Sequence, residues 1–460
     1  MEAKSQAPRR PGRGYWFSLL AIAAFVRALI VFIPLGTMPL VSDAFDYFDQ
    51  ARRLLADFPG DRAYFWPPGT PFFLALIRVL FGPSVAAARL GMIALSVATV
   101  ALAALIADRV SSERRVVEST GWLGALYPPA ILMSSQTYSQ NLAAFLVALL
   151  AWALLSALAT RRLVWWALSG IALGLGCLTR PSMLAYVPIL IGALIALLVR
   201  TRRAEARSVT MRNGLVALVG CVLPVLPVMI HNAHHRAGWT IATNNERNFF
   251  LGNNRYTPLY KTSQLAERPL EDLGPEGLAY VSGMTNENDV AARRAMTAEA
   301  VRHIRRDPLR TLLRTINRAR AFWGFDYLLS RRIQIHYHLG TMGLIGLLIA
   351  EAGGYVALLL LVLAGLSKGW NGFAIGGGKL LALLAFTYML PYTIAFSGGT
   401  YHFPVVGLLL PFAGVALDRG IRRDTAFWAR TMESRAFRTA AAVFLLIQLE
   451  SAYFTFAHRA

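Results

Sequence analysis

The sequence predicts an all-α polytopic membrane protein, and three observations carry that prediction. Of 460 residues 56% are hydrophobic and only 15% are charged, far from the balance of a soluble globular domain. Apolar runs of about 20 residues, the length that crosses a bilayer core as a helix, recur about eleven times along the chain. Basic residues crowd into alternate short loops, as the positive-inside rule requires of a spanning bundle.

The runs fall near 15–36, 84–107, 116–134, 139–159, 163–179, 183–199, 213–232, 338–366, 379–396, 402–417 and 438–457. "KSQAPRRPGRG", "DRVSSERR", "TRR", "RTRRAEARSVTMR" and "DRGIRRDTAFWARTMESR" alternate with basic-poor connections such as "SSQTYSQ" and "SGGTYHF". That pattern places residues 1–14 inside as a basic cytoplasmic tail. Residues 15–232 then form a first membrane block with an external loop over 37–83. Residues 233–337 make a larger external subdomain, and 338–460 the C-terminal membrane helices. The first run holds Arg27 and has no small-residue cleavage site, so it reads as a retained helix.

Several function classes drop out at this level. The net charge of +21 sits between apolar runs, where it meets anionic lipid, so nucleic acid is not an expected partner. Cys177 and Cys221 are the only cysteines, both within apolar runs, which excludes a disulfide framework or a thiolate zinc cluster. His231, His234 and His235 have helical i, i+3, i+4 spacing but no local carboxylate, so no metal is assigned to them. The glycine cluster "GWNGFAIGGGK" at 369–379 lacks the spacing and preceding strand of a phosphate loop and reads as a connector.

The chemistry-bearing residues lie in the long loops. In "VSDAFDYFDQARRLL" a helix starting at Asp43 puts Asp43, Asp46, Tyr47 and Gln50 on one face and Ala44, Phe45, Phe48, Ala51 and Leu55 on the other. Such a helix lies at a membrane surface, presenting carboxylates and a phenol. The acids alternatively cap and solvate a helix amino terminus. "FWPPGTPFFLALIRVLFG" follows, in which Pro67, Pro68 and Gly69 force an extended turn into a short apolar helix. In "RRDPLRTLLRTINRARAFWGF", Asp307 is the expected N-cap, with Leu309, Leu312, Leu313, Ile316 and Trp323 along one stripe and Arg310, Arg314 and Arg318 opposite. Those arginines read as contacts to a lipid phosphate or to bulk anionic headgroups. Tyr401 and His402 sit in "GGTYHFP" at the external end of a span.

The ordered set "SDAFDY", "WPPGTPFFLAL", "ALYPPAILMSSQTYSQNLAAFL", "GLGCLTRPSMLAYVPIL", "NNERNFFLGNN" and "YHFPVVGLLLP" resembles the membrane glycosyltransferases of the GT-C superfamily, in particular the protein mannosyltransferase-like and aminoarabinose transferase-like group. The resemblance implies a helical bundle with amphipathic helices in its first external loop, residues 15–232 as a catalytic core, and a sugar on a polyprenyl phosphate as donor. It implies Asp43 as the catalytic base, with Asp46, Tyr47, Pro67, Pro68, Arg180, Tyr401 and His402 binding substrate and no metal in the site. The donor is a substrate rather than a cofactor, and a divalent metal is not indicated. The implied acceptor is a lipid, glycan or protein hydroxyl on the periplasmic, external face of the cell (inner) membrane. Two positions depart from the group's pattern. Gln140 and Asn141 stand where a glutamate is common, and Thr400 where an arginine precedes the tyrosine, which leaves the leaving phosphate to Arg180 or His402.

Elementary chemistry agrees. A glycosyl phosphate already carries a good leaving group, so transfer to a hydroxyl needs one base and cations for the departing phosphate. An unperturbed aspartate is ionised at neutral pH, so such a base needs position rather than exotic burial. Direct displacement with a single base inverts the anomeric centre. The rival expectation is a transporter or flippase of a lipid-linked saccharide, but that class places polar groups at mid-membrane and often shows inverted repeats. Here the polar density lies in the loops.

Overall fold

The computed structural model describes residues 10–201, 204–259, 274–284, 290–367 and 376–457. Most of the basic tail and residues 369–375 of the glycine cluster lie outside the described residues. The chain is an all-α polytopic membrane protein, with no strand among the described residues. Its helices are α1 (Arg13–Phe32), α2 (Asp43–Ala56), α3 (Gly69–Phe81), α4 (Val85–Val110), α5 (Arg114–Leu126), α6 (Pro128–Met133) and α7 (Ser139–Thr160). Next come α8 (Leu163–Thr179), α9 (Val187–Arg200), α10 (Ala204–His234), α11 (Asn244–Gly252), α12 (Gly274–Met284), α13 (Val290–Arg306) and α14 (Pro308–Phe322). The last are α15 (Leu328–His336), α16 (Thr341–Leu348), α17 (Gly354–Ser367), α18 (Gly377–Ile394), α19 (Val406–Ile421), α20 (Thr425–Glu433) and α21 (Arg435–Ala457).

Every apolar run falls on helical backbone, and seven helical stretches among the described residues are long and apolar enough to cross a membrane. Of the other four runs, the one at 116–134 shows where hydropathy overstates continuity. The run at 116–134 is split into α5 and α6 because Pro128 and Pro129 lack the N–H that a continuing helix needs and push Tyr127 to extended φ/ψ. Helix α8 has 17 residues, and α18 and α21 fall outside the seven. The core is formed by α4, α7, α8, α17, α18 and α19: α8 packs between α7 and α10, and α19 packs on α4, α5 and α17.

A broken helix inside a membrane leaves carbonyls without partners, which is costly where water is excluded. Arg27 of α1, 0% exposed, answers this at the end of α5. Its guanidinium donates to the carbonyls of Ala125 (2.8 Å), Gly124 (3.1 Å) and Ala23 (3.1 Å) and to Ser96 Oγ (2.8 Å). An intramembrane arginine usually marks a functional path; this one caps a helix.

Helix α14 has the expected amphipathicity, with Asp307 accepting from Arg310 N–H at 3.0 Å as N-cap. Its orientation corrects the expectation for the arginines. Leu309, Leu312, Leu313 and Ile316 point outward. Arg314 and Arg318 are buried against protein, where backbone carbonyls take the place of lipid phosphate.

Replacing Arg27 with leucine should therefore destabilise the bundle by about 3 kcal/mol or more, because at least two buried carbonyls lose their donor. The thermal midpoint of the detergent-solubilised protein measures it; an unchanged midpoint would show that other donors replace the guanidinium.

Candidate active site

The segment leading into α2 is pinned before it reaches Asp43. Arg89 of α4, 2% exposed, donates to the carbonyls of Gly36 (2.8 Å), Ser135 (3.0 Å) and Met38. Gln136 accepts from Val41 N–H (3.3 Å) and donates to Pro39 O (3.2 Å), and Thr137 Oγ1 donates to Ala44 O (2.5 Å). Between these clamps Ser42 adopts φ 52°, a left-handed value that costs a serine roughly 1–3 kcal/mol and persists only where neighbours over-determine it. The turn delivers Asp43 as the first residue of α2.

Arg180 is delivered by a different break. Because Pro181 disfavours helical φ/ψ in the residue before it, Arg180 leaves α8 in extended conformation (φ −146°, ψ 109°). Helix α3 begins directly against this point. A Cβ on Gly69 would lie 2.7 Å from Thr179 Oγ1 and 2.8 Å from the Leu178 carbonyl carbon, so the glycine of "WPPG" is what lets α3 dock on the end of α8 and bring Trp66 and Pro67 beside Arg180.

A third wall comes from α11 and the end of α18. Arg318 donates to Gly252 O at the end of α11, and to Ile394 O (2.8 Å) and Thr393 O (3.4 Å) at the end of α18. Asn253 Nδ2 donates to Ile394 O at 2.8 Å. Gly252 meets Ala395 so closely that a Cβ would stand 1.7 Å from its carbonyl oxygen. At its other end α11 is tied to the Trp66 loop, with Thr243 N–H on Tyr64 O (3.0 Å) and Asn244 N–H on Phe65 O (3.3 Å).

These breaks enclose a cavity of about 510 Å³ whose walls include Asp43, Tyr47, Trp66, Pro67, Arg180 and Tyr401. Five of the eight residues expected from the sequence are thus brought together. Arg180 has a buried Nη1 with no hydrogen-bond partner, and its guanidinium carbon stands 5.2 Å from the Tyr401 ring centroid and 5.8 Å from that of Tyr392. Tyr47 is 6% exposed and packs edge-on to Trp66 at 6.1 Å. Burial, then the charge of Asp43, pushes its phenol up to about 12, so it serves as a neutral hydroxyl.

The remaining three lie elsewhere. Asp46 is on α2 but exposed and absent from the cavity wall; the buried face is Ala44, Tyr47, Ala51 and Leu54, so only the i, i+4 pair Asp43 and Tyr47 faces inward. Partial desolvation on α2, followed by the charges of Asp43 and Asp49, raises the Asp46 pKa. Asp49 is ion-paired with Arg52 (2.8 Å) and Arg53 (2.7 Å). Pro68 is the buried residue that starts α3. His402 lies in the 3-10 turn Gly399–Val405, where successive residues diverge by roughly 120°, so Tyr401 faces the cavity and His402 turns away. His402 is stacked on Tyr355 at 4.0 Å with Nδ1 2.9 Å from Phe322 O. It borders a separate small cavity with Asp326 and Glu351, and Thr400 donates to Asp326.

The sequence reading missed Ser139, Asn244, Arg247, Asn248 and Tyr392, all in the cavity wall. "NNERN" was one of the singled-out motifs, and its mixture of amides and one arginine at the head of a short helix was the available signal. Asn141 is now explained without chemistry: its Nδ2 donates to Met133 O (3.0 Å) and Gln136 O (3.1 Å), closing the turn that pins α2.

A cavity holding one carboxylate, two arginines, and phenols and amides is suited to an anionic substrate with a polyol portion. Residues 66–231 match the family model described as dolichyl-phosphate-mannose-protein mannosyltransferase. That segment contains the "WPPG" turn and Arg180. No curated protein matches the sequence. Among solved structures, ArnT from Cupriavidus metallidurans bound to undecaprenyl phosphate is similar at 16% identity, covering 88% of this chain and 79% of that one, with a TM-score of 0.43. Its apo form is similar at 16% identity, covering 88% and 77%, with a TM-score of 0.40.

Two substitutions separate architecture from chemistry here. Gly69→Ala should lower the thermal midpoint, because backbone rather than a flexible side chain blocks the new methyl group. Asp43→Asn should leave the midpoint within the equivalent of about 0.5 kcal/mol. The reverse order of effects in a melting experiment would mean that Asp43 holds the fold.

Proposed function

We propose that the chain transfers a sugar from a polyprenyl-phosphate donor to an acceptor hydroxyl on the external face of the membrane, with Asp43 as general base. The observation that carries this reading is that Asp43 and Arg180, far apart in sequence, line one cavity in which an Arg180 N–H is buried without a partner. The description of the family matched by residues 66–231 supports the donor class, and the alternation of basic loops supports the side.

In the proposed reaction the acceptor oxygen attacks the anomeric carbon, its proton passes to Asp43, and the bond from the anomeric carbon to the phosphate oxygen breaks. The electron pair leaves with the polyprenyl phosphate. Arg180 meets the growing phosphate charge, where a preplaced forked donor in a water-poor site contributes most. Tyr392 and Tyr401 flank the guanidinium and hold its plane. Tyr47 and the amides of α11 contact sugar hydroxyls. One base and one displacement give inversion.

Removing a general base typically costs about 10²–10⁴-fold in rate. Asp43→Asn should accordingly lose most turnover in an assay with a panel of polyprenyl-phosphate sugars while the purified protein still binds the lipid donor. Near-normal turnover would return these acids to a capping role. Asp46→Asn should be milder and Asp49→Asn close to silent, since neither faces the cavity.

Arg180→Ala should lower kcat more than it raises the KM for acceptor, because its contact strengthens as phosphate charge develops. A variant with unchanged kcat and altered stability would leave Arg180 as a residue that only terminates α8.

A further inference from the structure

Helix α11 has a second face. Asn244, Arg247 and Asn248 look into the central cavity, whereas Glu246 borders a separate cavity of about 460 Å³ between α11, α13 and the 237–240 loop. Three features there are unusual for an idle groove. Trp239 is 68% exposed at its rim. Arg293 is 3% exposed, and its Nε and Nη1 have no hydrogen-bond partner, although Nη2 donates to Ala237 O. Its ion pair with Glu246 is stretched to 3.7 Å, and Glu246 Oε2 is likewise buried without a hydrogen bond.

Buried charged groups are normally satisfied, and a stretched pair with donors and an acceptor left over is the exception that calls for an occupant. We propose that this cavity binds an anionic saccharide, a sugar carrying a carboxylate or phosphate, and that it holds the acceptor of the transfer reaction. Arg293 and the exposed Arg294 supply forked donors for the anionic group. Glu246 and Thr297 take and give hydrogen bonds to ring hydroxyls, and the Trp239 indole offers a flat apolar face to a sugar ring. The acceptor role rests on the proposed glycosyl transfer; binding does not. Glu246 and the central-site amides Asn244 and Asn248 share one short helix, so the two cavities adjoin the same element.

The test uses the full chain in lipid nanodiscs and ligand-observed saturation-transfer NMR with glucose 6-phosphate, glucuronate and neutral glucose. At least one anionic probe should give a clear signal that glucose does not, and the choice between them tells phosphate from carboxylate. Trp239→Ala and Arg294→Ala, both at exposed positions, should each weaken that signal's apparent affinity about tenfold, as expected for loss of a stacking face or a charge-assisted hydrogen bond. Arg180→Ala should leave it unchanged. The proposal is overturned if glucose binds equally, if neither anion binds, if both rim variants bind normally, or if Arg180→Ala abolishes the signal. In the transfer reaction the same rim variants should raise the KM for an acidic acceptor and spare kcat. A wild-type protein that binds the probe but transfers no sugar would fault the glycosyltransferase reading and leave this site standing.

Discussion

The structure depends on satisfying the ends of helices that stop where no water reaches them. A continuous helix needs nothing from its neighbours inside a bilayer, but it also presents no loop, no cavity and no projecting side chain. Each interruption that shapes this protein exposes carbonyls, and at several of them a buried guanidinium is the donor. Arg27 serves the end of α5, Arg89 the segment before α2, and Arg318 the paired ends of α11 and α18. The planar, five-donor fork suits this task better than an ammonium, because one side chain meets carbonyls from two chain segments at fixed angles.

That constraint explains why the candidate site stands where helices break. Asp43 follows a strained serine, Arg180 precedes a proline, and Tyr401 sits in a 3-10 turn. None of the three lies within an undisturbed α-helical span. Polar groups that must meet an incoming ligand gain by being placed at the ends of apolar elements, since mid-helix positions would face packed neighbours or lipid. Before α2 and at the ends of α11 and α18 a buried arginine offsets part of the stability given up, so these clamps and the site they shape are built together.

Much of this was legible in the sequence, because its strongest signals are local. Runs of apolar residues fix where helices lie, "WPPG" and "TRPS" fix where they stop, and the basic loops suggest sidedness. The site was legible as far as these breaks carried it, through Asp43, Tyr47, Pro67, Arg180 and Tyr401. What could not be read was which face each break exposes. Asp46 and His402 are sequence neighbours of cavity residues, yet a rotation of about 100° per α-helical residue or 120° per 3-10 residue turns them away. The inward turn of Arg314 and Arg318 was equally hidden, because an amphipathic pattern does not say whether its polar side faces solvent or a set of orphan carbonyls.

The same ambiguity bears on how charge should be interpreted in this chain. With a net charge of +21, the simplest physical picture is electrostatic attachment to anionic lipid. Yet the most buried arginines donate to backbone carbonyls, whose partial charges do not appear in any count of acids. Part of the basic excess is therefore structural, balanced by peptide dipoles at helix ends. Buried guanidinium nitrogens without a hydrogen bond occur within that set too, at Arg314; Arg180 and Arg293 have such nitrogens while standing in the walls of cavities large enough for a small ligand. An arginine committed to carbonyls has little left to offer a substrate, whereas one with unused donors at a cavity wall retains both its charge and its geometry for an incoming anion. Unused donors at a cavity wall, more than charge itself, separate the cations placed to bind from the cations that build.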